Sequence, residues 1–484
     1  MNSSIYQRHF VGERKTQGAI KAQGNYMRKI TIVAVAILLV AIRTMAQEPP
    51  QPAAPEYNCD FAPSCEVSPG VYGKISVPVT SKFNLSIGGF VKLDYAYNSV
   101  NFGQSGSLSP GSGAIPKAGS TAAEQSQSIF TARQSRFWLK VAGPGFLGAK
   151  TNALIEADFY GDTSSAAESP QLRMRHAWGS LDWANTSLLF GQTWDIFGPM
   201  ASNTIDFRQG AAYGSPNNPR VPQLRLTHKL GLNAENSLRL VLGVQDPNQN
   251  GNNNSTAAAF SNNVGSMVNL AGQVMLVNKS LGVSPGYFGM SMSPFTVGFF
   301  GLYGSQKALT PSAGEKPVDS WGGGLYAFIP IMRSKDGMSR KMTMSFEGQA
   351  YMAANMAFNT ATAFNFCGLK DNPAAAKGYG LAAQIIFYPT QDLGASAGYL
   401  RRNAYNYADY RANIDHTTDN FQKYSQNVFV NFSYDLNAAV RIAAEYEYLN
   451  THYGNSVASG SSTMNSTAGS GSANVARLAV FYFF

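Results

Sequence analysis

The stretch FNLSIGGFVKLDYAYN, residues 83–98, decides the fold. Its apolar residues fall on alternate positions: Phe83, Leu85, Ile87, Val91, Leu93, Tyr95 and Tyr97. Lys92 and Asp94 fall between them. Period two over so long a run is a strand with a different environment on each face. The tyrosines at its end suit an interface where a ring can meet hydrocarbon and a hydroxyl can meet water.

The same pattern recurs to the C-terminus. Strands are expected over 83–97, 129–142, 149–160, 171–183, 186–194, 221–230, 236–246 and 268–277. They continue over 294–304, 319–331, 341–352, 378–388, 392–402, 423–436, 438–449 and 474–484. That makes sixteen, an even number, as single-chain bacterial barrels have. The connections alternate in length. Short turns fall at 143–148, 184–185, 231–235, 389–391 and 437. Long polar loops fall at 98–128, 195–220, 247–267, 353–377, 403–422 and 450–473. The segment 278–293 breaks the alternation, being long where a short turn is due. The expected fold is all-β, an antiparallel transmembrane barrel with short periplasmic turns and long extracellular loops.

Composition agrees. Charged residues are 13% of the 484, against about 25% in soluble domains. Aromatics reach 12% and mean hydropathy is −0.16. Few charges, many rings and neutral hydropathy fit a sheet with one lipid face and one wet face. The net charge of +9 is misleading, because seven Lys/Arg and only Glu13 lie in residues 1–46. The remainder is nearly balanced, so no nucleic-acid partner is expected.

Residues 27–46, MRKITIVAVAILLVAIRTMA, read as a signal peptide. Arg28 and Lys29 precede an apolar run, and Thr44-Met45-Ala46 resembles a cleavage site. The run is shorter than the roughly 20 residues of a transmembrane helix. Met27 is the expected start, with cleavage after Ala46. Residues 47–80 form a Pro-rich periplasmic arm, and 81–484 the barrel. Cys59 and Cys65 flank a short loop and are disulfide candidates in an oxidising compartment, against two unpaired thiols on the arm. No His or third Cys lies near them, so no metal is expected there.

Residues opposite the apolar face would line the lumen. Arg133, Arg136, Lys140, Arg173 and Arg175 come from consecutive strands about 4.8 Å apart. They can form a positive wall that favours anions, with Arg225 and Arg239 further along. Glu156 and Asp158 lie on the strand between and can instead pair with them, leaving a stiffening charge ladder. Loop 195–220 carries Ile196, Phe197, Ile205 and Phe207, which favour packing inside over exposure. Catalytic motifs are missing: there is no G-x-S-x-G elbow and no H-E-x-x-H pair, and no cofactor is expected. The competing readings are a non-conducting structural or adhesive barrel and an outer-membrane hydrolase.

Several stretches resemble the DcaP-like outer-membrane porins: GFVKLDYAY (89–97), QSRFWLKV (134–141), NALIEADFYG (152–161), LRMRHAWGSLDW (172–183) and SLLFGQTWDIFGP (187–199). The resemblance implies a trimeric, sixteen-stranded porin that passes small, often negatively charged organic acids. It also implies that loop 195–220 folds inward, with Asp206 and Arg208 as constriction residues. The ending NVARLAVFYFF resembles the signal that outer-membrane barrels present to their assembly machinery, carried by Leu478, Val480, Tyr482 and Phe484. Small outward residues Ala149, Ala153 and Ala157 would permit close packing of protomers or face lipid. Membrane lipid and lipopolysaccharide complete the expected partners. The arm departs from the family, having Pro and the Cys pair where a coiled coil can stand.

Overall fold

The computed structural model describes residues 73–75, 83–102, 114–161, 170–207, 220–246, 265–310 and 314–356. It further describes 366–367, 374–375, 377–405, 422–454, 458 and 460–484. The expected signal peptide, Cys59, Cys65, nearly all of the expected arm and Arg208 lie outside the described residues.

The strands, in chain order, begin with β1 (Gly73–Ile75), β2 (Asn84–Asn98), β3 (Gln127–Thr131), β4 (Arg136–Phe146) and β5 (Ala149–Asp158). Next come β6 (Arg173–Asp182), β7 (Thr186–Trp194), β8 (Arg220–Gly231), β9 (Asn236–Gln245) and β10 (Gly265–Pro285). They are followed by β11 (Met292–Thr310), β12 (Gly314–Met332), β13 (Thr343–Ala354), β14 (Phe366–Cys367) and β15 (Ala374–Ala375). The last are β16 (Lys377–Tyr388), β17 (Leu393–Ala404), β18 (Gln422–Asp435), β19 (Val440–Tyr453) and β20 (Ser470–Phe483). Each wall strand pairs antiparallel with its sequence neighbour, and β20 pairs with β2. The sheet is therefore closed, which leaves no edge to template aggregation. Counting β3 and β4 as two halves of one strand, the wall has sixteen strands among the described residues.

Period two explains the wall. Ile87, Val91, Leu93, Phe137, Ile155, Phe190, Leu242, Phe299, Leu381 and Val430 are large, apolar and exposed on its outer face. Lys92, Asp94, Arg136, Glu156 and Asn431 alternate with them and are buried inside. An apolar outside around a polar inside is what a strand needs to cross hydrocarbon.

Two irregularities interrupt the period. The expected strand 129–142 is split by residues 132–135. There the Ser135 hydroxyl takes over the ladder, accepting from the Lys92 amide (2.9 Å) and donating to the Lys92 carbonyl (3.3 Å). In β6 a bulge at Arg175 places Arg175 and His176 together on the inner face, 4% and 5% exposed.

The long segment 278–293 is an elaborated turn. β10 runs on to Pro285 with a register shift after Asn278, and β11 starts at Met292. A single 3-10 turn, Tyr287–Gly289, joins them with Phe288 at φ 45°. Tyr287 and Phe288 are buried in the barrel with Phe90, Phe481 and Phe483. The inner face at the short-turn end is thus aromatic, where a polar, mixed lining was expected.

Candidate permeation site

After β7 the chain turns into the lumen and follows the inner wall from residue 195 to 207. Its root is apolar. Ile196 and Phe197 are buried against Met275, Phe300 and Tyr351. Phe197 meets Phe300 edge-on at 4.9 Å and Tyr351 at 5.7 Å. Glycines make the room: a Cβ on Gly322 would lie 2.6 Å from the Phe197 ring, and one on Gly243 2.3 Å from Ile196. Asp195 accepts the Phe197 amide (3.0 Å). Burial pushes the Asp195 carboxyl up to about 7, against the pull of that amide, of Gln245 and of Arg225.

The middle is held by side-chain amides. Gln349 accepts the Met200 amide (3.2 Å), and Gln384 accepts the Asn203 amide (2.8 Å) while donating to the Ala201 carbonyl (3.0 Å). Asn203 also donates to Ser396 and accepts the Phe288 amide (2.7 Å), tying loop to turn. These bonds satisfy backbone groups that would otherwise be buried without partners.

At the tip, the Ile205 amide donates to Glu445 (2.8 Å), and its carbonyl accepts from the Lys92 ammonium (2.7 Å). Asp206 accepts from Gln134 (2.7 Å) and lies 3.7 Å from Arg477. Phe207 sits under Lys92 (4.4 Å) and beside Arg136 (5.2 Å).

Two charged walls meet at that tip. One, from residue 133 through β8, is rich in arginine. Arg175 binds Glu156 (2.6 Å) and Asp158 (3.0 Å), and Arg173 binds Asp158 (2.6 Å). Arg136 lies 3.6 Å from Glu156. Arg133 donates to the Phe159 carbonyl (3.2 Å) and stacks on Tyr160. Arg220 stacks on Trp194 (4.8 Å), which Arg175 approaches from 5.6 Å. Among the described residues, three of these guanidinium groups, those of Arg136, Arg173 and Arg175, share the carboxylates of Glu156 and Asp158, while Arg133 and Arg220 lie against aromatic faces. The other wall, on β2, β19 and β20 with the loop tip, inverts the ratio. Lys92 and Arg477 stand among Asp94, Asp206, Glu445 and Glu447, with Lys92–Asp94 at 2.8 Å and Arg477–Glu447 at 3.0 Å.

The remaining expected residues divide. Arg225 braces the root of the loop, donating to the Trp194 carbonyl (2.6 Å) and to Gln223 (2.9 Å). Lys140 and Arg239 are half-buried on the inner side, away from the five arginines that gather. Leu478, Val480, Tyr482 and Phe484 all lie exposed on the outer side of the β2–β20 seam. Ala153 and Ala157 are half-buried on the outer face, while Ala149 is buried opposite Phe146. Lys92, Glu445, Glu447 and Arg477 were not expected as one cluster. They join the two ends of the barrel sequence, and no local spacing brings them together.

No family model matches the chain, and no curated protein matches it. Among solved structures, it is similar to the outer membrane channel DcaP of Acinetobacter baumannii. The TM-score is 0.60 at 16% identity, covering 84% of this chain and 99% of that one. The fold is that of the outer-membrane porins. The anion-selective porin from Comamonas acidovorans is similar too, with TM-score 0.50 at 12% identity, covering 83% and 100%. On this porin fold, the segment 195–207 occupies the lumen as the resemblance in sequence implied.

Proposed function

We propose that the chain is an outer-membrane channel for passive diffusion of small hydrophilic solutes, favouring anions such as small organic acids. The observation that carries the reading is the arginine wall: five arginines gather beside the inward loop around Glu156, Asp158 and the rings of Tyr160 and Trp194, as seen among the described residues. Excess fixed positive charge in a confined aqueous passage raises the local concentration of anions. In this reading the protein is a conduit and performs no chemistry. The short turns face the periplasm and the long loops the exterior. Export depends on the signal peptide, insertion on the assembly machinery, and a homotrimer packs through the small outer residues of β5.

A closed structural barrel is the second reading. It is favoured by the depth of burial inside, where Lys92 and Arg133 are 0% and 2% exposed. Planar-bilayer conductance of the refolded mature chain under a salt gradient separates the two. Ohmic steps with an anion-favouring reversal potential support the proposal. Cation preference sinks the role of the arginine wall, and a folded barrel without conductance favours the closed reading.

A further inference from the structure

The elaborated turn between β10 and β11 crosses the lumen. The ladder between β9 and β10 ends at Asn278. Beyond it the chain bonds past β11 instead. The Val283 carbonyl accepts the Ser334 amide (2.8 Å), and the Pro285 carbonyl accepts the Ser345 hydroxyl of β13 (2.7 Å). Residues 284–288 are all buried, whereas the turns at 144–148, 231–235 and 390–392 are exposed. At the end of its reach, the Phe288 carbonyl accepts from Arg441 on β19 (3.2 Å). Tyr287 and Phe288 belong to one cluster with Phe481 and Phe483 of β20 and Phe90 of β2. Counted from β2 among the described residues, β10 and β11 are the eighth and ninth of the sixteen wall strands, so the β20–β2 seam lies half-way round. A turn rooted on one side that packs against the other spans the interior. There it also meets the inward loop: Asn203 accepts the Phe288 amide (2.7 Å), and Phe207 stands edge-on to Phe288 at 6.3 Å.

Closing a sheet requires none of this, since hairpin turns of about two to five residues suffice. The turn also holds an unfavourable backbone. Phe288 lies at φ 45° and ψ 28°, a region that bulky side chains rarely enter. Such a conformation persists only where the surroundings hold it, and here Asn203 and Arg441 grip both sides of the residue. Gly289 follows at φ 68°, and a Cβ there would lie 2.4 Å from the Tyr388 hydroxyl. We propose that residues 286–290 form a second constriction, a crossbar in series with the inward loop, and that Tyr287 and Phe288 set the size limit at the short-turn mouth. Their rings carry no net charge, so the crossbar limits size and leaves ion preference to the arginine wall. The inference rests on the channel reading given under the proposed function.

The test is single-channel conductance in potassium chloride, with liposome swelling in arabinose, sucrose and raffinose, on the refolded full barrel. The variants are Tyr287→Ala with Phe288→Gly, Phe288→Gly alone, and Leu281→Ser, which alters an exposed side chain of the same turn. Glycine suits the backbone at position 288, so the single variant is the gentler one. Heat-modifiable mobility shows that each barrel is closed. If two comparable resistances stand in series, removing one raises conductance about twofold. The double variant should therefore conduct more, admit a larger sugar than the wild type, and keep its reversal potential. Phe288→Gly should move the same way by less, and Leu281→Ser should change nothing. A wild type that does not conduct but is opened by the double variant also upholds the crossbar. Unchanged conductance and an unchanged sugar limit in the folded double variant overturn it and leave the channel reading intact. An equal rise from Leu281→Ser overturns the role of the two rings, and a shifted reversal potential overturns the limit as one of size alone. Folded barrels that never conduct, wild type and variants alike, overturn the channel reading and the crossbar with it.

Discussion

The arginine wall and the carboxylate wall are built from the same strand geometry, yet they are organised in opposite ways. In the first, Arg133, Arg136, Arg173, Arg175 and Arg220 come from segments close in sequence, and Arg136, Arg173 and Arg175 share Glu156 and Asp158. Among the described residues cations outnumber carboxylates there, and aromatic faces at Tyr160 and Trp194 take up Arg133 and Arg220. In the second, Arg477 is shared among Asp206, Glu445 and Glu447. There the single guanidinium holds a loop in place. Under the proposed function the arginine wall acts on ions that pass, whereas the wall whose carboxylates converge on Arg477 acts on its own architecture.

That contrast can be broken most severely at Arg477. Arg477→Ala leaves three carboxylates buried without their shared cation, at a cost of about 3 to 5 kcal/mol. Urea unfolding of the refolded barrel measures it, and a loss no larger than a surface mutation's would mean that Arg477 is not the key. The second largest effect is expected at Phe197→Ala. Removing that ring costs about 3 kcal/mol and frees the root of the loop, so single-channel conductance should become noisier and larger. Unchanged conductance with lost stability would separate the loop's packing from its place in the passage.

A smaller effect sharpens the electrostatic side. Arg175→Gln should move the reversal potential toward cations, while Arg477→Lys, which keeps the charge, should move it little. Equal shifts from both would erase the distinction between the walls. The smallest effect concerns pH. Asp195 titrates near 7 in the folded chain and near 3.8 when unfolded. The folded state therefore holds a proton that the unfolded chain has lost, and stability from this group falls as pH rises through that window. Asp195→Asn should flatten the decline of Tm between pH 4 and about 7; an unaltered slope would place the titration elsewhere.

The barrel was legible in the sequence because strand period and loop length are local properties. All sixteen wall strands were readable from alternation, and the ends of β7 coincide with the expected 186–194. The inward loop was legible for a different reason: Ile196, Phe197, Ile205 and Phe207 have no business in water. Three things were hidden. The bulge at Arg175 breaks the period, so alternation cannot place both Arg175 and His176 inside. The aromatic lining of Phe90, Phe481 and Phe483 with Tyr287 and Phe288 joins strands and a turn far apart in sequence. The carboxylate wall likewise exists only because β20 returns to β2, and closure is the one feature no local window contains.

The inward loop also sets an order in time. Residues 195–207 precede every strand from β10 onward, yet they end against Phe300, Gln349, Gln384, Asn431 and Glu445. The Ile205–Glu445 contact spans 240 residues. Contacts so distant in sequence are slow to form. The loop's contacts can therefore form only as those later staves arrive, so the filling of the vessel and its closing at the seam of β20 and β2 belong to the same late stage.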